Sequence, residues 1–245
     1  MKAMILAAGL GTRLKPLTDT MPKALVPVMG RPLLGILLDK LAASGFGRVV
    51  VNVHHFASQI TDYVAAHRAD YPHMDILISD ETAELLDTGG AVRHAAPLLL
   101  DGSDEPVLIH NADILGNVDL RSFYRTAQGH DATLLVSERA SSRGLFLTDD
   151  DLLCGWTNHT TGEVKGRASG RVRAFSGIHA LSPRLIERMA ERPARFPIIP
   201  FYIDMCDEAD VFCADFPHAE LLDVGKLDAL DAAEAFLKKT AGTLR

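Results

Sequence analysis

The sequence has no apolar run long enough to cross a membrane. A transmembrane helix needs about 20 apolar residues, whereas the first apolar run spans only residues 4–8 and leads directly into Gly9. That run is also too short for the apolar region of a secretory signal peptide. The sequence therefore predicts a cytoplasmic protein that makes no membrane contact.

Blocks of cations and paired cysteines are missing as well. The 245 residues carry a formal net charge of -7 without any cluster of lysines and arginines, which argues against a nucleic-acid partner. The three cysteines, Cys154, Cys206 and Cys213, form no CxxC pair, so we expect reduced thiols that are mostly packed in the interior.

Several familiar catalytic and cofactor signatures are absent. No histidine pair has the spacing of a zinc site, and no GxSxG elbow of a hydrolase occurs. Gly9 and Gly11 begin a GxG pattern, but Leu14 replaces the third glycine of the dinucleotide fingerprint, and there is no P-loop. An NAD-dependent oxidoreductase is disfavoured further, because His54 and His55 rather than an acid follow the second strand.

A regular alternation of strand and helix patterns is present in the first half. Apolar runs predict strands at 4–8, 48–54, 75–79, 107–110 and 132–136, and helical periodicity predicts helices at 33–44, 57–67, 88–99 and 120–127. Short connections between these elements imply right-handed crossovers. We therefore predict an α/β fold with three layers, a mostly parallel Rossmann-like sheet and helices on both of its faces.

The pattern changes after residue 137. A hairpin is predicted from 144–148 and 152–157, followed by a polar, glycine-rich, mobile loop at 158–170. Further strands are expected at 173–181, 211–216 and 220–224, with helices at 183–190, 198–206 and 226–238. Without a linker or an internal repeat, we interpret 1–245 as one domain with two halves, 1–137 and 138–245.

The segment after the first strand, AMILAAGLGTRLKPLTDTMPKALVPVMGRP (residues 3–32), has the composition of a phosphate site. Glycines let backbone N–H groups approach phosphate oxygens. Arg13 offers a planar fork to polyphosphate oxygens and Lys23 a point charge, in a segment that three prolines stiffen. An ordinary strand-to-loop turn with scattered surface cations remains the alternative.

Two aspartates follow apolar strands. Asp113 comes after the strand at 107–110, where a carboxylate at the carboxyl end of a parallel strand points into the ligand crevice. Asp223 stands in LLDVG (221–225), where it also ends an apolar strand and precedes a glycine. Alternatively, Asp113 caps a helix and Asp223 belongs to a turn.

The loop closely resembles the signature of sugar-1-phosphate nucleotidyltransferases, roughly LAAGxGTRLxPLTxxxPKxLxPVxGxPxL. The similarity continues through DTGGAV, HNAD, FSGI and LLDVG, so it covers almost the whole chain. Among subgroups it is nearest to short bacterial N-acetylmuramate-1-phosphate uridylyltransferases and mannose-1-phosphate guanylyltransferases. The resemblance implies the nucleotide-diphospho-sugar transferase fold, with a nucleotide-binding half at 1–137 and a sugar-phosphate-binding half at 138–245.

The resemblance also implies roles for individual residues. Arg13, Lys23 and Asp113 would be catalytic, and Asp113 and Asp223 would hold Mg²⁺. Sugar-phosphate contacts would come from Glu163, Lys165 and Gly177, with a solvated surface loop as the alternative for the first two. Two positions depart from the family, since Ala112 replaces a glycine and Leu221 an aromatic residue. The nucleotide would contact Ala8, Gly9, Gly11, Thr12, Arg13, Lys23, Gly89, Gly90 and Asn111, although the segment around Gly89 could instead serve only as a helix cap.

The implied reaction joins an NTP and a sugar 1-phosphate into an NDP-sugar and releases pyrophosphate, as a step towards cell-wall or polysaccharide precursors. UTP is the preferred nucleotide because Asn111 matches the uridylyltransferase subgroup. A guanylyl- or cytidylyltransferase acting on mannose 1-phosphate or phosphocholine stays open, as does a non-catalytic regulatory homologue. We expect a monomer or a homodimer that binds these small molecules.

Overall fold

The computed structural model describes residues 1–240, so the last five residues of the predicted second half lie outside the described part of the chain. Fourteen strands are present within it: β1 (Lys2–Leu6), β2 (Pro27–Val28), β3 (Arg31–Pro32), β4 (Arg48–Val53), β5 (Asp75–Asp80), β6 (Val107–Asn111), β7 (Ile114–Gly116), β8 (Ala132–Ser137), β9 (Arg143–Leu147), β10 (Leu153–Asn158), β11 (Val164–Gly166), β12 (Arg171–Leu181), β13 (Val211–Asp215) and β14 (Leu221–Asp223).

Seven α-helices accompany these strands among residues 1–240, and short 3₁₀ turns lie between them. The helices are α1 (Leu33–Ala43), α2 (Ala57–His67), α3 (Asp87–Leu99), α4 (Leu120–Thr126), α5 (Pro183–Arg188), α6 (Ile198–Met205) and α7 (Ala229–Thr240). None of the helices in the described chain is long and apolar enough to span a bilayer.

Ten strands form the main sheet in the order β11-β10-β9-β12-β6-β1-β4-β5, with β8 on β12 and β13 on β8. The pairings β5–β4, β4–β1, β1–β6 and β8–β13 are parallel. Since β12 is antiparallel to both β6 and β8, the strands β1, β4, β5, β6, β8 and β13 all run in the same direction. The predicted mostly parallel sheet is confirmed, with β12 as an inverted strand inside it.

Local sequence signals explain where several helices begin. The Asp119 side chain accepts hydrogen bonds from the backbone N–H groups of Arg121 and Ser122 and so caps α4. Ser182 caps α5 in the same way, and Pro183 occupies the first turn, where its missing N–H costs no hydrogen bond.

Apolar side chains cover both faces of the sheet. One core lies under α1, α2 and α4, where Leu38, Ile60 and Phe123 are fully buried. The other lies under α3, α5 and α6 and contains Val92 and Tyr202. Burial on both faces accounts for the nearly continuous apolar strands and confirms the predicted three layers.

Strand β12 connects the two halves of the sheet. Its register with β8 shifts between Phe175 and His179, and Gly177 in the shifted segment has a φ of 75°. The irregularity lets residues 171–173 pair with β9 while residues 178–181 pair with β6. The bulge therefore stands where the parallel core meets the added hairpin strands.

Several predicted boundaries need correction. The segment 158–170 is not a loop throughout, because β11 pairs with β10. At this pairing Gly155 lies opposite Gly166, where a Cβ on Gly155 would meet the Arg167 carbonyl oxygen at 2.2 Å, so the close strand approach depends on glycine. Strand β1 ends at Leu6, and the three-residue strand β7 was not predicted.

Candidate active site

The loop after β1 carries most of the predicted phosphate contacts. Gly11 has a φ of 64°, and a Cβ there would lie 2.8 Å from the Thr18 side chain and 3.0 Å from that of Lys23. Gly9, in contrast, has nothing within 4 Å of a Cβ position and faces open space. The loop then folds through three 3₁₀ turns, at Thr12–Leu14, Leu17–Asp19 and Lys23–Leu25, which return the chain towards the carboxyl end of the sheet.

A first cavity of about 350 Å³ opens at the carboxyl ends of β1, β4 and β6. Ligands of open α/β sheets bind at this edge, and the volume is in the range of small-molecule sites. We call it the nucleotide cavity. Its walls include Ala8, Gly9, Lys23, Asn52, Glu81, Thr88, Asn111, Ala112, Asp113 and Pro197.

Two buried polar side chains support this cavity and were not predicted. Asn52 and Glu81 are only 3% and 2% exposed. The Asn52 Oδ1 atom accepts hydrogen bonds from the backbone N–H groups of Ala7 (2.7 Å) and Ala8 (3.3 Å), and Asn52 Nδ2 donates to Glu81 Oε1 (2.8 Å). Burial raises the pKa of the Glu81 carboxyl group. The sequence alone held no signal for this pair.

Lys23 and Asp113 meet at one end of the nucleotide cavity. The Lys23 ammonium group forms an ion pair with Asp113 Oδ2, and the two side chains are 14% and 17% exposed. Ala112, which stands where the family has glycine, is buried and donates its N–H to the Leu6 carbonyl oxygen at 3.1 Å. Its φ is not positive, so the backbone here accepts alanine without strain.

A short antiparallel pairing brings the second predicted carboxylate beside the first. Strands β7 and β14 pair so that Asp223 lies opposite Ile114, and the Val224 N–H donates to the Asp113 carbonyl oxygen at 2.8 Å. Asp113 lies directly before β7 and Asp223 ends β14, so two aspartates 110 positions apart in the sequence lie close together in the fold. This juxtaposition is the one that a shared metal site requires.

Gly225 makes room for Arg13 beside Asp223. A Cβ at Gly225 would lie 2.7 Å from Arg13 Nη2 and 2.5 Å from Asp223 Oδ1. The glycine of the LLDVG motif therefore lets the guanidinium group and the carboxylate approach the same point. Sequence reasoning identified the motif but not this function of its glycine.

A second cavity of about 300 Å³ adjoins the first and shares Asn111 and Asp113 with it. We call it the sugar cavity. Its walls include Arg13, Asn111, Asp113, Arg139, Ser141, Arg143, Trp156, Ser176, Gly177 and Asp223. Of the two predicted metal ligands, Asp113 lines both cavities, whereas Asp223 lines only the second, as Arg13 does.

Two arginines of the sugar cavity have no carboxylate partner among residues 1–240. Arg139 donates a hydrogen bond from Nη2 to the Phe175 carbonyl oxygen at 2.9 Å, and neither Arg139 nor Arg143 takes part in an ion pair in that part of the chain. Both side chains are exposed. Sequence reasoning missed them because no motif marks the segment 138–143.

Of the three residues predicted to contact the sugar phosphate, only Gly177 lines the sugar cavity. A Cβ at this glycine would lie 2.8 Å from Asn111 Nδ2. Lys165 lines a further cavity of about 390 Å³ with Arg143, its ammonium group 5.7 Å from the Trp156 ring centroid. Glu163 pairs with Lys165 at 3.3 Å and lines none of the three cavities.

Gly89 and Gly90 do not line the nucleotide cavity. Their N–H groups donate to the Phe196 carbonyl oxygen at 2.9 and 3.1 Å. A Cβ at Gly89 would collide with the Phe196 ring, and one at Gly90 with the Ala194 carbonyl oxygen. Packing of α3 against this segment explains both glycines. Thr12 is exposed, and neither Thr12 nor Gly11 lines either cavity. All the predicted nucleotide contacts, including those of residues that line a cavity, remain predictions.

Beneath the two cavities lie two buried histidines. Burial lowers the pKa of His110 on β6 to about 4 and that of His179 on β12 to about 3. His179 Nδ1 forms a hydrogen bond with the hydroxyl group of Tyr202. Both histidines are therefore neutral at pH 7 and belong to the core rather than to a metal site.

Comparison with known proteins gives the same family as the motif. Residues 2–144 match a family model described as nucleotidyl transferase. N-acetylmuramate alpha-1-phosphate uridylyltransferase of Caulobacter vibrioides is 33% identical, with 96% of each chain covered. Mannose-1-phosphate guanylyltransferase 1 of Arabidopsis thaliana is 28% identical over 79% of this chain and 53% of its own.

A solved structure shares the whole fold. HddC from Yersinia pseudotuberculosis, complexed with GMP-PN, has a TM-score of 0.75 and 23% identity, and the match covers 96% of this chain and 99% of HddC. The family matches and this structural likeness together confirm the predicted fold and the predicted family resemblance.

Proposed function

This chain belongs to the nucleotidyl transferase family, and we propose that it joins a nucleoside triphosphate to a sugar 1-phosphate, with pyrophosphate as the second product. The observation that carries the proposal is the β7–β14 pairing, which brings Asp223 close to Asp113 in the wall of the sugar cavity, and Asp113 also lines the nucleotide cavity. Lys23 and Arg13 each lie next to one of these carboxylates. Two substrates that occupy the two cavities would bring their phosphate groups to the junction of the cavities at Asp113.

The donor set at the junction fits Mg²⁺. Within residues 1–240, no three histidine, cysteine, aspartate or glutamate side chains cluster as a metal cage. Mg²⁺ needs no such cage, because one or two carboxylates and substrate phosphate oxygens usually suffice. Asp113 and Asp223 would hold the ion, which would supply positive charge next to the reacting phosphates.

The side chains at the junction position and neutralise the reactants. The sugar phosphate is already largely ionised at pH 7, so its oxygen can attack the α-phosphorus without a general base. The new P–O bond forms in line with the bond to the leaving pyrophosphate, which breaks. Lys23 exchanges its contact with Asp113 for the α-phosphate and stabilises the charge that develops there. Arg13 would hold a phosphate group beside Asp223.

The sugar cavity favours an acidic sugar phosphate. Arg139 and Arg143 add two positive charges to a wall on which Arg13 already faces the phosphate region. A neutral sugar 1-phosphate offers no second anion for them. N-acetylmuramate alpha-1-phosphate carries such a carboxylate, and the relative that matches 96% of this chain is named for that substrate. We therefore propose UTP and N-acetylmuramate alpha-1-phosphate as substrates, in a cytoplasmic step towards cell-wall precursors.

GTP with mannose 1-phosphate is the second candidate, because guanylyltransferases also match over most of the chain. A panel of UTP, GTP, CTP and dTTP with N-acetylmuramate, mannose and glucose 1-phosphates and with phosphocholine, each with and without Mg²⁺, separates the candidates by pyrophosphate release. We expect the highest kcat/KM with UTP and the acidic sugar. Release with no pair in the panel, from protein that is folded by circular dichroism, would contradict the catalytic assignment and favour a binding homologue.

A further inference from the structure

The two sides of the nucleotide cavity are connected through a buried polar bridge. One side is the backbone that follows β1, and the other is the segment 81–88 that leads into α3. Asn52, near the end of β4, accepts hydrogen bonds from Ala7 and Ala8 on the first side. Glu81 accepts from Asn52 through Oε1 and from the Leu86 backbone N–H, on the second side, through Oε2 at 3.2 Å.

The hydrogen-bond pattern permits only one arrangement of donors and acceptors. The N–H groups of Ala7 and Ala8 are donors, so the oxygen of Asn52 faces them and its amide nitrogen faces Glu81. Glu81 meets two donors, Asn52 Nδ2 and the Leu86 N–H, and therefore needs two acceptor oxygens. A carboxylate supplies both, whereas an amide supplies only one.

We propose that Asn52 and Glu81 are a positioning pair that fixes the distance between the two sides of the nucleotide cavity and so determines the affinity for the NTP. The pair does not bind the sugar phosphate, because neither residue lines the sugar cavity. The inference rests on the proposed function to the extent that the ligand of this cavity is an NTP. The proposal explains why the Glu81 carboxyl group is buried. Burying it costs free energy, and an apolar side chain would be enough for packing alone.

The test is a reciprocal exchange of the two side-chain types. In Glu81→Gln, two donors face a single acceptor oxygen. In Asn52→Asp, two carboxyl groups face each other, so one of them must take up a proton at neutral pH, and this protonation costs free energy. In the double variant Asn52→Asp/Glu81→Gln, the carboxylate at position 52 accepts from Ala7, Ala8 and the new amide, whose own oxygen accepts from Leu86. Every donor is satisfied again, and the net charge is that of the unmodified protein.

A buried unsatisfied group costs enough to change an affinity about 10- to 100-fold. We expect each single variant to raise the KM for the NTP by at least about tenfold, and the double variant to return it to within about threefold. The KM for the sugar 1-phosphate should change less than about threefold in all of them. Tyr71→Phe is the matched control, because it removes a hydrogen bond to Asp39 (2.8 Å) outside both cavities. It should lower the melting temperature and leave both KM values unchanged.

The outcomes separate this proposal from the proposed function. If the unmodified protein turns over no NTP, and none raises its melting temperature, both fail. If the unmodified enzyme is active but the single variants keep its KM for the NTP, the positioning pair alone is wrong. It is also wrong if the double variant folds and binds the NTP as weakly as the single variants, or if the sugar-phosphate KM rises in parallel. Should Asn52→Asp not fold, Glu81→Gln and the double variant still decide the question.

Discussion

The nucleotide cavity and the sugar cavity are built from different kinds of wall. The first consists largely of backbone and buried side chains, and its ionised groups are compensated by neighbours: Lys23 by Asp113, Glu81 by Asn52 and Leu86, and Asp87 by Arg195. The second includes side chains from β9, β10 and the bulge of β12. None of its three arginines, Arg13, Arg139 and Arg143, takes part in an ion pair within residues 1–240.

This difference indicates which substrate each wall can select. The backbone of the nucleotide cavity is held in place by a buried hydrogen-bond network, so it presents a fixed wall, and replacing a member of that network disturbs the core. Exposed arginines on a hairpin can be replaced at little cost in stability. We therefore expect that the choice of sugar lies in the sugar cavity and that the geometry of the nucleotide is set by the parallel core.

The largest effect should come from the junction, where both walls act on the same phosphates. Replacing Lys23 by alanine removes the cation beside the α-phosphate and should lower kcat by roughly two to three powers of ten. Lys15→Ala is a matched control, since Lys15 lies in the same loop but pairs with Asp19 and lines neither cavity. Near-normal turnover of Lys23→Ala would remove Lys23 from the mechanism.

A lower pH should decrease the free energy of unfolding, because two histidines are buried in the core. The unfolded chain binds protons at its histidines below a pH of about 6.5, whereas burial keeps His110 and His179 neutral in the folded protein down to about pH 4 and about pH 3. The free energy of unfolding should therefore be highest above pH 6.5 and fall as the pH decreases, by on the order of 1–2 kcal/mol for each histidine between pH 7 and pH 5.

Urea unfolding at both pH values measures this dependence. In His110→Asn the difference between pH 7 and pH 5 should shrink by the share of one histidine, whatever the variant's absolute stability. An unchanged difference would show that His110 takes up its proton in the folded protein as readily as in the unfolded chain.

A smaller effect, on the binding of the sugar phosphate alone, is expected from a substitution in the wall of the sugar cavity. Arg143→Gln removes a cation from the sugar cavity and should raise the KM for an acidic sugar 1-phosphate about tenfold while the KM for the NTP stays the same. Mannose 1-phosphate should be affected less, since it has no second anion. Arg188→Gln is the control: it breaks the ion pair between Arg188, at the end of α5, and Glu208, and it should alter neither KM. Equal losses for acidic and neutral sugars would contradict the assignment of the arginine.

The smallest effect on stability should come from Gly9→Ala. Nothing lies within 4 Å of the Cβ position and the φ is not positive, so the free energy of unfolding should stay within about 0.5 kcal/mol of the original. The methyl group nevertheless enters the nucleotide cavity and should raise the KM for the NTP without changing that for the sugar phosphate. An equal rise in both KM values would mean that the two cavities are not independent at this wall.

The fold was largely predictable because its signals are local. Helix α2 begins and ends at the predicted residues, and the predicted strand at 132–136 differs from β8 by one residue. The errors arise where tertiary contacts decide the structure. Strand β7 has only three residues and depends on β14, and β11 is a polar segment whose strand conformation comes from its pairing with β10.

The site was predictable where a motif marks it and unpredictable where only the fold does. Motifs led to Lys23, Asp113 and Asp223; the β7–β14 pairing brings the two acids close together, and their role as metal ligands stays a prediction. Asn52, Glu81, Arg139 and Arg143 were missed because a buried amide in a strand or an exposed arginine in a loop looks ordinary in a sequence. Gly89 and Gly90, in contrast, were predicted from a motif to bind the nucleotide, but packing against Phe196 and Ala194 is enough to explain why both positions are glycine.

The pairing of β14 with β7 also has a consequence for the order in which the enzyme is completed during synthesis. All strands that carry the nucleotide cavity leave the ribosome well before Leu221. The chain can therefore contain every strand of this cavity before it contains Asp223. The proposed metal site is then the last part of the proposed active site to be completed.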